Sequence, residues 1–193
     1  MRKVTNTLYN YDELSDEAKT KARDWWRTYE LDYEWWDSVF DDAKTIGALM
    51  GIEIENIYFS GFSCLGAKFT GTYTYRKGSV QAVKEYAPQD ETLHRIAKEL
   101  QEIQKRHFYG LTANVESSGR YSHEYCTEIE VIDGDNLYAG KEAEEALSNA
   151  LRDYMRWIYR RLQEEYWYLQ EDEQVEENIL ANEYEFTEDG EIS

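Results

Sequence analysis

The sequence predicts an α+β fold: an antiparallel four-stranded sheet of two hairpins packed with three or four helices, followed by a long C-terminal helix and an acidic tail. Three observations predict it. Apolar residues recur at three-to-four spacing in separate stretches, the period drops to two in two paired stretches, and acidic residues crowd into the last part of the chain.

Leu14, Ala18, Ala22, Trp25 and Tyr29 follow helical spacing behind Ser15, a good N-cap, with Asp16 and Glu17 where the helix dipole favours negative charge. The first helix is therefore predicted over Asp16–Tyr29. A second stripe, Trp36, Val39, Phe40, Ala43, Ile46, Gly47 and Met50, predicts a helix over Tyr33–Met50 ended by Gly51, with Glu34, Asp37 and Asp41 on its other face. From Ile52 the alternation of Ile52, Ile54, Ile57 and Phe59, then of Phe69, Gly71, Tyr73 and Tyr75, predicts a hairpin closed by Ser60–Gly66. Residues 78–86 suit a short helix, and beyond Pro88 the run Leu93, Ile96, Ala97, Leu100 and Ile103 predicts a long helix capped by Asp90 and ending near Phe108. Leu111, Ala113 and Val115, then Cys126, Glu128, Ile129 and Val131, predict the second hairpin around Ser117–His123.

After the turn residues Asp133–Asn136, Leu147, Leu151, Tyr154, Ile158, Leu162 and Leu169 mark the long last helix, with Arg152, Arg156 and Arg160 on another face. Tyr154, Trp157 and Tyr166 on it suit a dimer seam as well as a core, so a homo-oligomer stays open. Ile179 and Leu180, then the alternation of Tyr184 and Phe186 with Glu183 and Glu185, predict a short helix and a strand in the tail. The expected organisation is one domain over residues 1–170 with an acidic extension, 171–193, packed on it.

The chain carries 40 acidic and 21 basic residues, a net charge of −19, and the 31 residues from Gln163 to Ser193 hold 12 acidic and no basic side chains. Such a charge repels nucleic acid and anionic membrane and attracts basic protein surfaces, so no direct nucleic-acid or membrane partner is expected. No apolar run reaches the ~18 residues of a membrane span, and Met1–Thr5 does not lead into a signal-peptide core, so the expected compartment is the cytoplasm. Cys64 and Cys126 are expected as reduced core thiols.

Cys64, Cys126, His94, His107 and His123 lack metal-site spacing, so neither a metal nor another cofactor is expected. Gly61–Gly66 lacks the order of a nucleophile elbow, and its glycines do not lie between a strand and a helix as a phosphate cradle requires. Glu128 and Glu130 alternate on one strand and face the same side without a reason for a raised pKa. No catalytic residue is assigned.

Adjacent tryptophans on a helix cannot both enter one core, so one of each pair Trp25–Trp26 and Trp35–Trp36 is expected to be partly exposed, and exposed aromatics make good interface anchors. The expected partner surface comprises Trp26 and Trp35 with the carboxylates Glu34, Asp37, Asp41, Glu171, Asp172, Glu173, Glu176 and Glu177. Ser63, Cys64, Tyr121 and His123, in the two hairpin loops, are the expected contacts should the chain bind a small ligand instead.

Leu14–Lys19 through Trp25–Trp26, Asp41–Gly47, Ile57–Phe62 and Tyr184–Gly190 together resemble uncharacterised acidic proteins of tailed bacteriophages and prophages. That resemblance spans most of the chain and implies a setting, the cytoplasm of an infected bacterium, without bringing an activity. Small acidic phage proteins in that setting often occupy the DNA-binding clefts of host defence nucleases. The expectation is thus a non-catalytic inhibitor of a basic, nucleic-acid-handling host defence protein, of anti-CRISPR or anti-restriction type, by DNA mimicry. The alternatives are an antitoxin-like regulator that neutralises one specific partner, and a ligand-binding protein or enzyme built on the two loops.

Overall fold

The computed structural model describes residues 7–29, 34–62, 66–134 and 139–193. It is an α+β protein with a four-stranded antiparallel sheet, a small two-stranded sheet and a long C-terminal helix. The chain resolves into two compact units, one of residues 1–36 with 164–193 and one of residues 37–163.

In the second unit α1 of the sequence has no part; it begins with the helix at Asp37–Met50 (α2), since α1 (Asp16–Tyr29) belongs to the first. Strands β2 (Ile52–Phe59), β3 (Ala67–Thr74), β4 (Thr112–Ser117) and β5 (Thr127–Ile132) form a meander in the order β2-β3-β4-β5. Its register explains the two faces. Ile52, Tyr73, Ala113 and Val131 lie in one cross-strand row and all are buried, while the next row, Glu53, Thr72, Asn114 and Glu130, is polar. Period-two patterning therefore puts one face in the core and the other in water.

Gly71 sits where β2 carries a bulge between Ile54 and Asn56. Its φ is +151°, and a Cβ there would lie 2.0 Å from the Glu53 carbonyl oxygen. Only glycine allows the two strands to approach this closely.

Helix α3 (Ser79–Tyr86) leads to α4 (Glu91–Arg106), which buries Leu93, Ile96, Ala97, Leu100 and Ile103. Asp90 caps α4 as the sequence predicts, accepting from the Leu93 amide at 2.9 Å, and its other oxygen accepts from Trp157 Nε1 at 2.7 Å. Helix α5 (Lys141–Leu169) supplies its residues through Gln163 to this unit. Tyr154, fully buried on α5, donates to the Ala43 carbonyl at 2.5 Å, stacks on Trp157 and meets Phe69 edge-on. A tyrosine is tolerated at that depth because its hydroxyl is satisfied.

In the first unit the tail is ordered. Helix α6 (Asp172–Ala181) and β6 (Glu185–Phe186) join α1, β1 (Tyr9–Asn10) and a 3₁₀ turn at Tyr11–Glu13, with β1 antiparallel to β6. Their core is Tyr11, Leu14, Ala18, Ala22, Trp26, Val175, Ile179 and Phe186. Ser15 accepts from the Ala18 amide at the start of α1, the capping that its position predicts. The second helix starts at Asp37, later than the predicted Tyr33, with residues 34–36 outside it, the last two in a turn; Tyr33 itself lies outside the described residues, as do Ser63, Cys64 and Asn136.

Candidate functional site

Helical phase decides which tryptophans are exposed. Trp26 shares the stripe of Ala18 and Ala22, one turn apart each, and is only 2 % exposed; Trp25, the next position around, is half-buried against Tyr184 and Phe186. Trp35 is 8 % exposed and held edge-on by Trp36 and at 5.6 Å by Tyr166. The surface role expected of Trp26 and Trp35 is therefore corrected: one member of each pair does reach solvent, but it is Trp25 and Trp36.

An aromatic row, Trp36, Trp35, Tyr166 and Trp167, links residues far apart in sequence, with successive ring centroids 5.5–5.7 Å apart. At its end Trp167 is 63 % exposed, and Tyr168 is also exposed. Trp167 falls outside the stripe of Leu147, Leu151, Tyr154, Ile158 and Leu162, a signal present in the sequence that the reading of that helix as one amphipathic stripe passed over.

The tail carboxylates divide into two groups. Asp172 and Glu176, one helical turn apart on α6, turn toward α1: Arg23 Nη1 lies 2.7 Å from Glu176, and Arg27 Nη2 donates to Asp172. Tyr11 donates its hydroxyl to Glu176 at 2.9 Å and accepts from Arg23, and burial pushes its pKa up to about 12, so it remains a donor. The hydrogen bond from Arg27, with the charges of Arg23 and Arg27, holds the Asp172 carboxyl below its usual value. The two carboxylates expected to face a partner are thus spent on joining α6 to α1. Glu171, Glu173 and Glu177 stay exposed, as do Glu34, Asp37 and Asp41, and none of these pairs with a cation among the described residues.

A second acidic surface, on the outer face of the sheet, emerges only from strand pairing. Glu116 lies directly across from Glu128, and with Glu130, Asn114 and Glu144 they line a shallow depression of about 300 Å³. Like charges directly opposite one another weaken a strand pair, and here the Asn114 amide donates to Glu116 at 2.9 Å.

The second hairpin loop is tied down. Lys68, buried on the sheet, reaches the carbonyls of Ser118, Gly119 and Cys126 at 3.2–3.4 Å. Glu124, also buried, accepts from Arg156 Nε at 2.8 Å and lies 3.2 Å from His123 Nδ1. Tyr125 stacks on His123 and has the guanidinium groups of Arg152 and Arg156 within 5.6 Å of its ring centre. Tyr121, on the same loop, is exposed. The two loops meet, because a Cβ on Gly66 would lie 2.9 Å from the His123 Cα. Among the described residues no three His, Cys, Asp or Glu side chains are grouped to hold a metal, and no helix is long and apolar enough to cross a membrane.

No curated protein and no solved structure matches the chain. A family model described as "Domain of unknown function (DUF8835)" matches residues 35–172, well over half of the sequence, and the chain belongs to that family.

Proposed function

We propose that this protein acts by binding, without catalysis, to a partner with a basic surface, and that the exposed end of the aromatic row is its anchor. Trp167 carries the reading. A large aromatic side chain left 63 % exposed at the head of a carboxylate-rich segment combines an apolar anchor with a charged rim, the usual make-up of an interface hot spot. Glu171, Glu173 and Glu177 supply the rim, and no lysine or arginine follows Arg161. Carboxylates in this arrangement steer a cationic partner and replace its counterions as DNA does.

In the setting that the sequence resemblance implies, the host bacterial cytoplasm, the partner is a nucleic-acid-handling defence protein and the chain a phage-encoded inhibitor. A pull-down from phage-permissive bacterial lysate, washed at rising salt and identified by mass spectrometry, tests this. The expected result is a DNA-binding nuclease or defence complex that duplex DNA displaces and that Trp167→Ala fails to retain. A tight cognate indifferent to duplex DNA would favour the antitoxin-like reading, and retention unaffected by both Trp167→Ala and a Glu171/Glu173/Glu177→Gln triple variant would refute the surface.

A further inference from the structure

Helix α4 ends in an unusual way. The residue after its C-cap normally adopts a left-handed conformation and is normally glycine; here that residue is Phe108, with φ +54°, followed by Tyr109 at φ +62°. The Tyr109 amide closes the motif on the Gln104 carbonyl at 2.7 Å. The Phe108 side chain is 95 % exposed and so gains nothing from the fold that offsets the strain.

The segment carrying it is nevertheless rigidly held. The side-chain amide of Gln104, fully buried, donates to the Leu111 carbonyl at 2.6 Å and accepts from the Leu111 amide at 3.2 Å, and Tyr109 packs on Tyr75 at 4.6 Å. Lys105 and Arg106 precede Phe108 by three and two residues and are exposed, and Lys77 lies two residues beyond Tyr75, the ring on which Tyr109 packs; these three make no ion pair with a described residue. A strained, solvent-exposed and pre-organised phenylalanine on a segment that carries unpaired cations is built as a knob.

The first unit contains a groove of opposite character. It measures about 430 Å³, and its lining includes Leu180 and Tyr184 among the carboxylates Asp12, Glu13, Glu183 and Glu185. Leu180 is 44 % exposed there. The volume exceeds the ~150 Å³ that houses a benzene ring. We propose that Phe108 of one copy inserts into this groove of a second copy, on Leu180, with Lys105, Arg106 and Lys77 meeting the acidic rim. Each copy contributes a knob and a groove, two different surfaces, so association grows with concentration by mass action. It involves neither Trp167 nor the exposed tail carboxylates and stands apart from the function proposed above.

Sedimentation velocity of the full chain over a wide concentration range, at physiological ionic strength where screening limits repulsion between highly charged copies, tests the proposal. The wild-type weight-average sedimentation coefficient is expected to rise with concentration. Phe108→Gly should sediment as a monomer throughout while its thermal midpoint rises by ~2–4 °C, because relief of the strained backbone stabilises the monomer. Leu180→Arg, a change at an exposed position, should also be monomeric. An equimolar mixture of the two variants should form a one-to-one dimer and nothing larger, since only one intact knob and one intact groove then remain. A wild-type chain monomeric at every concentration, association that survives Phe108→Gly, or a mixture that stays monomeric would each overturn it. So would a rise in anisotropy of labelled single-stranded oligothymidine with the wild-type chain but not with Phe108→Gly, which would assign the knob to nucleic acid.

Discussion

Two glycines with positive φ separate the cost of backbone conformation from the cost of crowding. Gly61 has φ +76° and open space around its missing Cβ, whereas at Gly71 a Cβ would lie 2.0 Å from the Glu53 carbonyl oxygen and 3.1 Å from the Ile54 Cα. Gly61→Ala therefore carries only the conformational term, about 1 kcal/mol. Gly71→Ala carries a similar term and must also push β2 away from β3 by about 1 Å to reach a tolerable contact, interrupting the ladder at Ile54–Gly71 beside the bulge. With ladder hydrogen bonds worth about 1 kcal/mol each, its cost is about 3 kcal/mol or more. Urea denaturation followed by far-ultraviolet circular dichroism measures both, and the expected order is wild type, Gly61→Ala, then Gly71→Ala with a clearly lower midpoint. If Gly71→Ala unfolds no earlier than Gly61→Ala, the strands are not in the close register described and the derivation of the sheet's two faces fails with it.

Gln104→Leu should cost about 3 kcal/mol, because it leaves both main-chain groups of buried Leu111 unpaired; a loss below 1 kcal/mol in the same urea assay would mean that the contact is not made. Tyr154→Phe removes one buried bond to the Ala43 carbonyl and should lower stability by about 1 kcal/mol without altering the circular dichroism spectrum. Asp172, whose folded-state carboxyl is held low by Arg27 and Arg23, contributes stability above its ordinary value of ~3.9 that is lost as pH falls through the lower folded value. The stability gap between wild type and Asp172→Asn is therefore expected to be constant from neutral pH down to about pH 5 and to close below about pH 4. A gap that persists undiminished into strong acid would disprove the role of its charge.

Local periodicity was sufficient for the elements. A three-to-four spacing of Leu93 to Ile103 and a two-residue alternation around Ile52 and Val131 depend only on which side chains face one way along a helix or a strand, so the α+β class, the two hairpins and the Asp90 cap were legible. So was the rule that one tryptophan of each adjacent pair reaches solvent. Which one does was not: Trp26 is inward because its phase coincides with Ala18 and Ala22, whose stripe meets Val175 and Ile179 from a helix some 150 residues further along the chain. The sequence likewise shows that the tail is acidic, but not that Asp172 and Glu176 are neutralised by Arg23 and Arg27, nor that Trp36 and Trp167 end one aromatic row, nor that Glu116 lies opposite Glu128. Ion pairs, ring contacts and strand register join residues distant in the chain, and the composition around each partner carries no record of the other. What the sequence by itself determined was the periodicity and the charge; which carboxylates and which aromatic rings remain available to a partner was decided by tertiary packing, because burial and pairing are properties of what lies across the fold.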